Sequence, residues 1–278
     1  MQQVSVTGFF AGSGLVVAPH MDDEALACGG TLALLPQKAS WHVVYATDGS
    51  GSPEPIVPGR DRISPDLSAE RQEEARVAMC CLGIPQTNLH FLNLPDGQLA
   101  RHEDQLQQAL DGLIAEIQPD HVLVPFRYDR HADHLALNRV ATRLVQTNVY
   151  KGALTEYFVY YRWRLLPGGD VRQAIRRDLV AKVDISTLSS QKRAALDCFK
   201  SQTTRYYGWQ ARPTLASNLL DEVCGSPELF LRYDPSFPGT AIFHRTALWI
   251  RMAHRLEPFL KKRKDRLVAR WRRERSRG

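Results

Sequence analysis

Two short clusters of histidine and carboxylate side chains each follow an apolar run of the sequence. Residues 19–24, Pro-His-Met-Asp-Asp-Glu, follow the apolar residues 15–18. Residues 131–134, His-Ala-Asp-His, come shortly after the apolar residues 122–125. Charged groups at the end of a buried strand cost desolvation and repulsion unless a cation or a reaction uses them. Together the two clusters predict the metal site of a hydrolase.

The residue types in these clusters suit a catalytic zinc ion. Zinc prefers imidazole nitrogen and carboxylate oxygen, and a catalytic site has three protein ligands and an open position. His20, Asp23 and His134 provide such a set. Asp22 is adjacent to one of these residues, so its carboxylate can act as general base towards a water at the open position. The predicted reaction is metal-assisted hydrolysis of an amide or ester.

The second cluster holds two further residues that need roles. His131 precedes His134 by three residues, which places both on one side of a helical turn. His131 can therefore stand across the metal as an electrophile or a proton donor. Asp133 can hold the second nitrogen of a histidine and so fix its tautomer.

These clusters need a scaffold that brings them together, and the sequence predicts an α/β fold. Over the first 150 residues, strand patterns alternate with helix patterns, which predicts a Rossmann-like, doubly wound, mostly parallel sheet flanked by helices. In the strand order 3-2-1-4-5 the first and fourth strands are neighbours, so both clusters would meet at the crevice outside their carboxyl ends. The predicted strands are 14–18, 42–47, 88–92 and 121–124, and the predicted helices are 24–35, 68–82, 103–117 and 135–147.

The alternation weakens after residue 151. Residues 201–245 show the least readable pattern of the chain. The helix predicted from Ser68 has that serine as its cap and closes at Gly83. The elements predicted in the second half are strands at 155–161 and 180–185, a helix at 189–200 and a short element at 228–233.

The motifs resemble those of the PIG-L (LmbE-like) family of zinc-dependent N-deacetylases. That family combines Pro-His-x-Asp-Asp-Glu after a first strand with His-x-Asp-His after a later one. Four more segments of this chain resemble the family in the same order, so the resemblance spans about residues 14–202. These segments are Thr-Asp-Gly at 47–49, Arg-Gln-Glu-Glu at 71–74, Leu-Pro-Asp-Gly at 94–97, and the stretch from Lys192 to Ser201-Gln202.

The resemblance implies a role for each matching residue. His20, Asp23 and His134 would bind zinc, with iron(II) as an alternative metal. Asp22 would be the general base, and His131 would stabilise the tetrahedral intermediate or protonate the leaving amine.

The resemblance also implies roles around this centre. Asp133 would orient His131, and Arg71 and Asp96 would hold sugar hydroxyls. Two departures stand out: Phe-Lys at 199–200 replaces a histidine common before the late Ser-Gln, and the segment before His131 is less proline-rich. The second departure leaves open whether Tyr128 or Arg130 assists the oxyanion.

Several of these residues also have structural interpretations. Acidic residues at a helix N-terminus favour the macrodipole and cap free N–H groups, which could explain Asp22 and Asp23 without chemistry. Arg71 could form an exposed ion pair with Glu70 or Glu74, which stabilises a helix little. Asp48 is expected to support the site as a turn residue, and Asp96 with its following glycine is a common turn pair.

Composition predicts a cytoplasmic protein. The chain has 278 residues, of which 44% are hydrophobic, and no apolar run is long enough to cross a bilayer. No basic segment precedes an apolar stretch at the N-terminus, so we do not expect a secretory signal. The five cysteines have no paired spacing, and we expect reduced, mostly buried thiols.

The net charge of +6 is unevenly distributed. Residues 251–278 hold 12 Lys and Arg and three Asp and Glu, whereas residues 1–250 have a net charge of −3. We predict one domain over residues 1–250 and a basic helix or tail over residues 251–278. The tail fits either peripheral contact with anionic lipid or a solvated end. Nucleic-acid binding is not expected, because no recognition motif accompanies the charge.

These observations predict a hydrolase that removes the N-acetyl group from an amino sugar of the GlcNAc or GalNAc type. A glycoconjugate, including a lipid-linked or lipopolysaccharide sugar, is the expected substrate, and contact with the inner face of the membrane would then explain the basic tail. The alternative is a metal-dependent amidase for another amide, such as a thiol conjugate or an acylated antibiotic. A third hypothesis, a binding protein without activity, is disfavoured because every core position of both clusters is present.

Overall fold

The structure is a computed structural model of the chain. It describes residues 1–55, 61–161, 169–237 and 239–244, with positions 252, 256 and 263 beyond them. The predicted lipid contact of residues 251–278 therefore lies almost wholly outside the described residues. In the described part of the chain, no helix combines the length and apolar character needed to cross a bilayer.

One eight-stranded sheet forms the centre of the described structure, in the order β1-β7-β8-β6-β5-β2-β3-β4. All neighbours are parallel except β8, which runs antiparallel to both β6 and β7. The strands are β1 Gln2–Gln3, β2 Gly14–Ala18, β3 Trp41–Thr47, β4 Leu89–Leu94, β5 His121–Pro125, β6 Ala153–Tyr157, β7 Val180–Val183 and β8 Glu228–Arg232.

Helices cover both faces of this sheet. Val16 and Ala18 of β2 pack on the side of α2, α3 and α7, whereas Leu15 and Val17 pack on the side of α4 and α5. All four side chains are fully buried, as expected for a strand that lies between two helical layers. The helices are α1 Val6–Phe9, α2 Asp23–Leu34, α3 Leu67–Leu82, α4 Glu103–Ile117, α5 Ala132–Gln146, α6 Val171–Ala174, α7 Ser189–Leu196, α8 Lys200–Thr203 and α9 Ser217–Gly225.

The predicted doubly wound, mostly parallel sheet is confirmed. The order β4-β3-β2-β5-β6 is the order 3-2-1-4-5, and Gly14 of β2 pairs with His121 of β5. The two polar clusters therefore follow neighbouring strands at the switch point, where ligands bind in such sheets.

Three predictions about the elements were wrong in detail. The helix that begins at Leu67 is preceded by Asp66 rather than capped by Ser68. The strand predicted at 155–161 ends at Tyr157, and the helix predicted at 189–200 stops at Leu196. Gly83 does close α3, with a positive φ of 84° that suits glycine.

The cysteines are all free, but the expected burial is wrong for most of them. Cys28 and Cys224 are buried, Cys80 and Cys81 are exposed, and Cys198 is intermediate. The exposed pair lies in the last turn of α3, where only one side of the helix packs on the core.

Candidate active site

The first cluster forms the turn between β2 and α2. The carbonyl of Pro19 accepts hydrogen bonds from the Thr47 backbone N–H at 3.0 Å and from its hydroxyl at 2.8 Å, which ties the end of β2 to β3. The chain then turns sharply and enters α2 at Asp23. The cluster is thereby fixed at the carboxyl edge of the sheet.

Asp22 adopts a strained backbone conformation in this turn. Its φ is 144°, a region that residues other than glycine rarely occupy. Its backbone N–H donates to the Glu24 carboxyl at 3.1 Å, and the Tyr45 hydroxyl donates to the other Glu24 oxygen at 3.0 Å. On the preceding residue, Arg71 donates to the Met21 carbonyl at 2.7 Å. Buried partners on both sides thus hold the Asp22 turn in place.

Asp23 connects the two clusters. Its Oδ2 lies 3.1 Å from His20 Nδ1 and 3.1 Å from His134 Nε2. Asp23 and His134 are fully buried, and His20 is 8% exposed. The three predicted metal ligands therefore lie together, as the strand order predicted.

Asp133 and Asp96 surround the other side of His20. Asp133 Oδ2 lies 3.2 Å from His20 Nε2, and Asp96 Oδ1 lies 3.2 Å from the same nitrogen. The Asp133 carboxylate also accepts hydrogen bonds from the backbone N–H groups of Gly97 at 2.7 Å and Leu99 at 3.0 Å. It is thus held by the loop after β4.

His131 is the most accessible histidine of the site. It caps α5, where its Nδ1 accepts a hydrogen bond from the Asp133 backbone N–H at 3.3 Å. Its ring lies 4.7 Å from the His20 ring and 5.2 Å from the His134 ring. The Asp133 carboxylate is 4.0 Å from His131 Nδ1, farther than from His20, so in this structure it contacts His20 more closely.

Two groups of side chains at the site, neither of which includes Asp23, have the spacing to hold a divalent metal ion. Ligand atoms of His20, His131 and His134 lie within 4.8 Å of one another, as do those of His20, Asp96 and Asp133. Asp23 Oδ1 is buried without a hydrogen-bond partner, and His134 Nε2 makes no directed hydrogen bond despite its short distance to Asp23. Imidazole and carboxylate donors with unsatisfied buried atoms suit zinc or iron(II).

Burial and neighbouring charges shift the titration of the acid–base groups. Burial raises the pKa of the Asp22 carboxyl to about 7, although Arg71 opposes this rise and Asp23 adds to it. Burial lowers the pKa of His131 to about 4, together with repulsion from His20 and His134. A carboxylate that titrates near neutral pH suits a general base.

The pKa values of Asp23 and His134, which are both buried, are shifted in opposite directions. Burial acts to raise the pKa of Asp23, but His134 and His20 more than offset it, and the pKa lies well below its usual value. Burial acts to lower the pKa of His134, but Asp23 and Asp129 raise it to about 9. Asp23 and His134 thus stabilise each other's charged forms.

Arg71 has a structural place that the sequence did not predict. Its side chain is 1% exposed, and it donates to the Gly49 carbonyl at 2.9 Å as well as to Met21. Its Nη2 lies 3.5 Å from Asp22 Oδ2. The interpretation of Arg71 as an exposed helical ion pair is wrong, and its predicted contact with sugar hydroxyls stays a prediction.

Asp48 supports the turns around the site, as predicted. Its Oδ1 accepts hydrogen bonds from the Ser50 N–H at 3.0 Å and the Asp96 N–H at 3.3 Å. Asp96 accepts from the Gly51 N–H at 2.9 Å with one oxygen and faces His20 with the other. Asp96, predicted to hold sugar hydroxyls, therefore lies within the polar cluster itself.

Two residues of the site were missed. Asp129 lies 3.3 Å from His134 Nδ1 and accepts from the backbone N–H groups of His131 at 3.1 Å and Tyr160 at 3.2 Å. The Tyr160 ring lies 5.3 Å from the His134 ring. Asp129 stands two residues before His131, which was a usable signal, whereas nothing in the sequence around Tyr160 indicated the site. Tyr128 packs against Phe126, with ring centroids 5.7 Å apart.

Comparison with known proteins agrees with the sequence motifs. The PIG-L family model, described as GlcNAc-PI de-N-acetylase, matches residues 15–145. The chain is 34% identical over 130 residues to the uncharacterized deacetylase YaiS of Escherichia coli (strain K12), covering 44% of this chain and 62% of that protein. It is 28% identical over 217 residues to the 2'-N-acetylparomamine deacetylase of Streptomyces fradiae, covering 69% of this chain and 74% of that protein. The alignment with the first relative thus spans less than two thirds of its length.

A solved structure shares the fold. The N,N'-diacetylchitobiose deacetylase from Pyrococcus horikoshii superimposes with a TM-score of 0.60 at 20% identity, covering 84% of this chain and 86% of that chain. At this identity the likeness concerns the fold alone.

Proposed function

The chain belongs to the PIG-L family, and from this premise we propose that it is a metal-dependent N-deacetylase of N-acetylated amino sugars. The observation that carries the proposal is the buried group His20, Asp23 and His134 with Asp22 beside it, at the switch point of the sheet. Zinc is the proposed metal, and iron(II) is the alternative that the same donors would accept.

The proposed mechanism assigns the proton transfers to Asp22 and the stabilisation of charge to His131. A divalent ion held by His20, Asp23 and His134 would polarise the acetamide carbonyl and lower the pKa of the attacking water. Asp22 takes a proton from that water as the water adds to the carbonyl carbon. His131, neutral near pH 7 with Nδ1 accepting from the Asp133 N–H, donates from Nε2 to the negative charge that develops on the carbonyl oxygen. Asp22 returns its proton to the leaving amine as the C–N bond breaks. The products are the free amine and acetate.

Two other residues keep these groups in position. Asp133, held by the loop after β4, fixes the His20 ring through its Nε2. Asp129 stands against Nδ1 of His134 and leaves Nε2 facing Asp23. Fixed tautomers of this kind raise the basicity of metal-binding histidines.

The names of two similar proteins support the proposed substrate class. They give 2'-N-acetylparomamine and N,N'-diacetylchitobiose as the compounds that those proteins deacetylate. An N-acetylated sugar within a glycoconjugate is therefore the proposed substrate of this chain. A lipid-linked or lipopolysaccharide sugar would engage residues 251–278 and stays a prediction from the sequence.

Acetate release tests the proposal directly. Metal-stripped and zinc-reloaded or iron-reloaded protein would be assayed on N-acetylglucosamine and on N,N'-diacetylchitobiose. Metal-restored release of acetate is expected. No release from protein that binds zinc stoichiometrically would reject the amino-sugar assignment.

Asp22→Asn tests the base. The variant should lose about 10²–10⁴-fold in kcat, the usual contribution of a general base, and should keep its bound metal. Asp104→Asn makes the same chemical change on the exposed first turn of α4 and serves as the matched control. An Asp22→Asn protein with the activity of the control would remove Asp22 from the mechanism.

A further inference from the structure

An aromatic loop over the start of α3 takes no part in the proposed chemistry. This aromatic loop, residues 205–210, holds three ring side chains within six positions. The rings of Tyr207 and Trp209 stack with centroids 5.1 Å apart and planes 9° from parallel. Tyr206 meets Tyr207 edge-on at 5.1 Å, and 37% of its surface is exposed. Tyr207 and Trp209 are half-buried.

The aromatic loop is held rigidly by its own hydrogen bonds. Gln210 is 4% exposed, and its side-chain oxygen accepts from the Tyr207 N–H at 2.7 Å. The Gln210 carbonyl accepts from the Arg205 side chain at 2.8 Å, and the Gln210 N–H donates to the Tyr207 carbonyl at 3.0 Å. A loop braced in this way presents its rings without an ordering cost on binding.

The polar edges of the rings are already occupied. The Tyr207 hydroxyl accepts from the Ser64 N–H at 2.9 Å, and the Trp209 indole N–H donates to the Arg62 carbonyl at 3.2 Å. The Tyr206 hydroxyl donates to the Glu70 carboxylate. With these edges satisfied, the part of each ring left for a ligand is carbon surface.

Hydrogen bonds and short stretches of chain link the aromatic loop to the site. Ser64 lies just before Leu67, and Arg71 of the Asp22 turn follows about 6 Å farther along α3. The preceding Gln202 exchanges hydrogen bonds with Ser52 at 3.0 and 3.1 Å. Gly51, next to Ser52, donates to Asp96, which faces His20. A continuous set of contacts thus joins the rings to the polar cluster.

We propose that the aromatic loop is an outer subsite that binds the sugar ring attached to the N-acetylated sugar under hydrolysis. This inference rests on the proposed deacetylase function. A sugar ring offers a C–H face for an aromatic side chain and hydroxyls for polar neighbours. Glu70, which accepts from the Tyr206 hydroxyl, and Arg205, whose side chain lies within the aromatic loop, supply such neighbours. An acyl chain would instead need a continuous apolar lining, which this polar border does not provide.

The test compares a short and a long substrate. Zinc-reloaded wild-type protein, Trp209→Ala and Trp209→Phe would be assayed on N-acetylglucosamine and on N,N',N''-triacetylchitotriose. Wild type should favour the trisaccharide by about tenfold in kcat/KM, and Trp209→Ala should lose most of that ratio. Trp209→Phe keeps a stacking ring without the indole N–H, so this variant should keep most of the preference for the trisaccharide. Equal losses of Trp209→Ala on both substrates would show that the loop is only a clamp and would reject the subsite.

A binding titration separates this proposal from the deacetylase proposal. Saturation-transfer NMR of the trisaccharide with the Asp22→Asn protein, with and without Trp209→Ala, measures the subsite without turnover. Binding that depends on Trp209 supports the subsite even if no acetate is released. Binding that ignores Trp209, or no binding, overturns it while leaving acetate release to decide the reaction. The subsite would instead bind an apolar group if Trp209 strengthened the binding of an acyl-linked monosaccharide but not that of the trisaccharide.

Discussion

At the scale of single residues, the backbone of Asp22 is the most constrained feature of the site. A φ of 144° costs about 1–3 kcal/mol for a residue other than glycine. The Glu24 carboxyl offsets that cost by accepting the Asp22 N–H, and the Tyr45 hydroxyl fixes the carboxyl in turn. Glu24 and Tyr45 are fully buried, so this support excludes water. Glu24 therefore positions the proposed base without touching the substrate.

Glu24→Ala tests this positioning role. The change leaves the Asp22 N–H and the Tyr45 hydroxyl without a buried partner, so the Asp22 turn should relax and kcat should fall by about 10²-fold. KM and bound metal should change little. Glu24→Gln keeps an oxygen for the Asp22 N–H and should retain most of the activity. Steady-state kinetics with metal analysis of both variants is the measurement, and equal losses in the two would contradict a role through hydrogen-bond geometry.

The residues of the site differ in how far the sequence could predict them. The proximity of His20, Asp23 and His134 was predictable. Their residue types indicated metal ligands, and their positions after the first and fourth predicted strands indicated a common edge of the sheet. The contact of Asp133 with His20 depends on the loop after β4, whose path no local pattern records. Tyr160 reaches His134 only because β6 is the next strand across the sheet.

At the scale of elements, the order of the central strands was predictable because a long helix follows each of the strands from β2 to β5, as in a doubly wound sheet. The edge of the sheet was not predictable in the same way. β8 pairs antiparallel with β6 and β7, and β1 at residues 2–3 pairs with β7 at residues 180–183, more than half of the chain away. Such distant pairings depend on packing, because the pattern of a strand does not indicate with which other strand it pairs.

A buried ion pair links this edge to α2. Lys192 of α7 lies 2.7 Å from Glu228 of β8, and both are at most 4% exposed. Glu228 accepts from the Gly30 N–H at 2.8 Å and the Thr31 N–H at 2.7 Å, while Lys192 donates to the Leu26 carbonyl at 2.8 Å. The pair thus holds backbone groups of α2 at Leu26, Gly30 and Thr31.

Glu228→Gln should destabilise the fold strongly. The variant leaves the Lys192 ammonium buried without its counter-charge, which costs about 3–5 kcal/mol. Urea unfolding gives the change in free energy of unfolding. Asp221→Asn is the control, because it breaks the exposed pair with Arg193 at 2.6 Å and should cost less than about 1 kcal/mol. Similar midpoints for the two variants would mean that the buried pair does not support α2.

The pair His42 and His90 joins β3 to β4 and should make stability depend on pH. The ring nitrogens lie 3.0 Å apart. Burial lowers the pKa of His42, with repulsion from His90 adding to it and Glu116 opposing it. Burial also lowers the pKa of His90, and the charge of Glu116 again opposes this decrease. Both histidines are therefore expected to be neutral in the folded protein at neutral pH.

The sign of the pH effect follows from these lowered values. Below about pH 6.5 the unfolded chain binds protons that the folded pair does not, so stability is lost as the pH falls through the folded pKa values. His90→Gln should reduce the loss of stability between about pH 7.5 and about pH 5.5, measured as urea midpoints. An unchanged pH dependence in His90→Gln would show that the pair does not contribute.

At the scale of the whole molecule, the polar cluster joins parts of the chain that are far apart in sequence. His20 and Asp23 lie after β2, Asp96 lies after β4, and His131 and His134 begin α5. The Asp23 Oδ1 atom of this cluster is buried without a hydrogen-bond partner. A metal bound only by the folded arrangement of these segments must stabilise the entire fold, by mass action.

Thermal unfolding with and without metal measures this stabilisation. Zinc at about 100 times its dissociation constant adds about 2.7 kcal/mol, which should raise Tm by about 5 °C in a chain of this size. Chelation should reverse the rise, and His134→Ala should abolish it, because His134 is the histidine most deeply enclosed by the cluster. His102→Ala, at the start of α4, should keep the full response. If wild type and His134→Ala gained equally in Tm, the metal would bind elsewhere on the molecule, and the buried cluster would hold the fold together by its ion pairs alone.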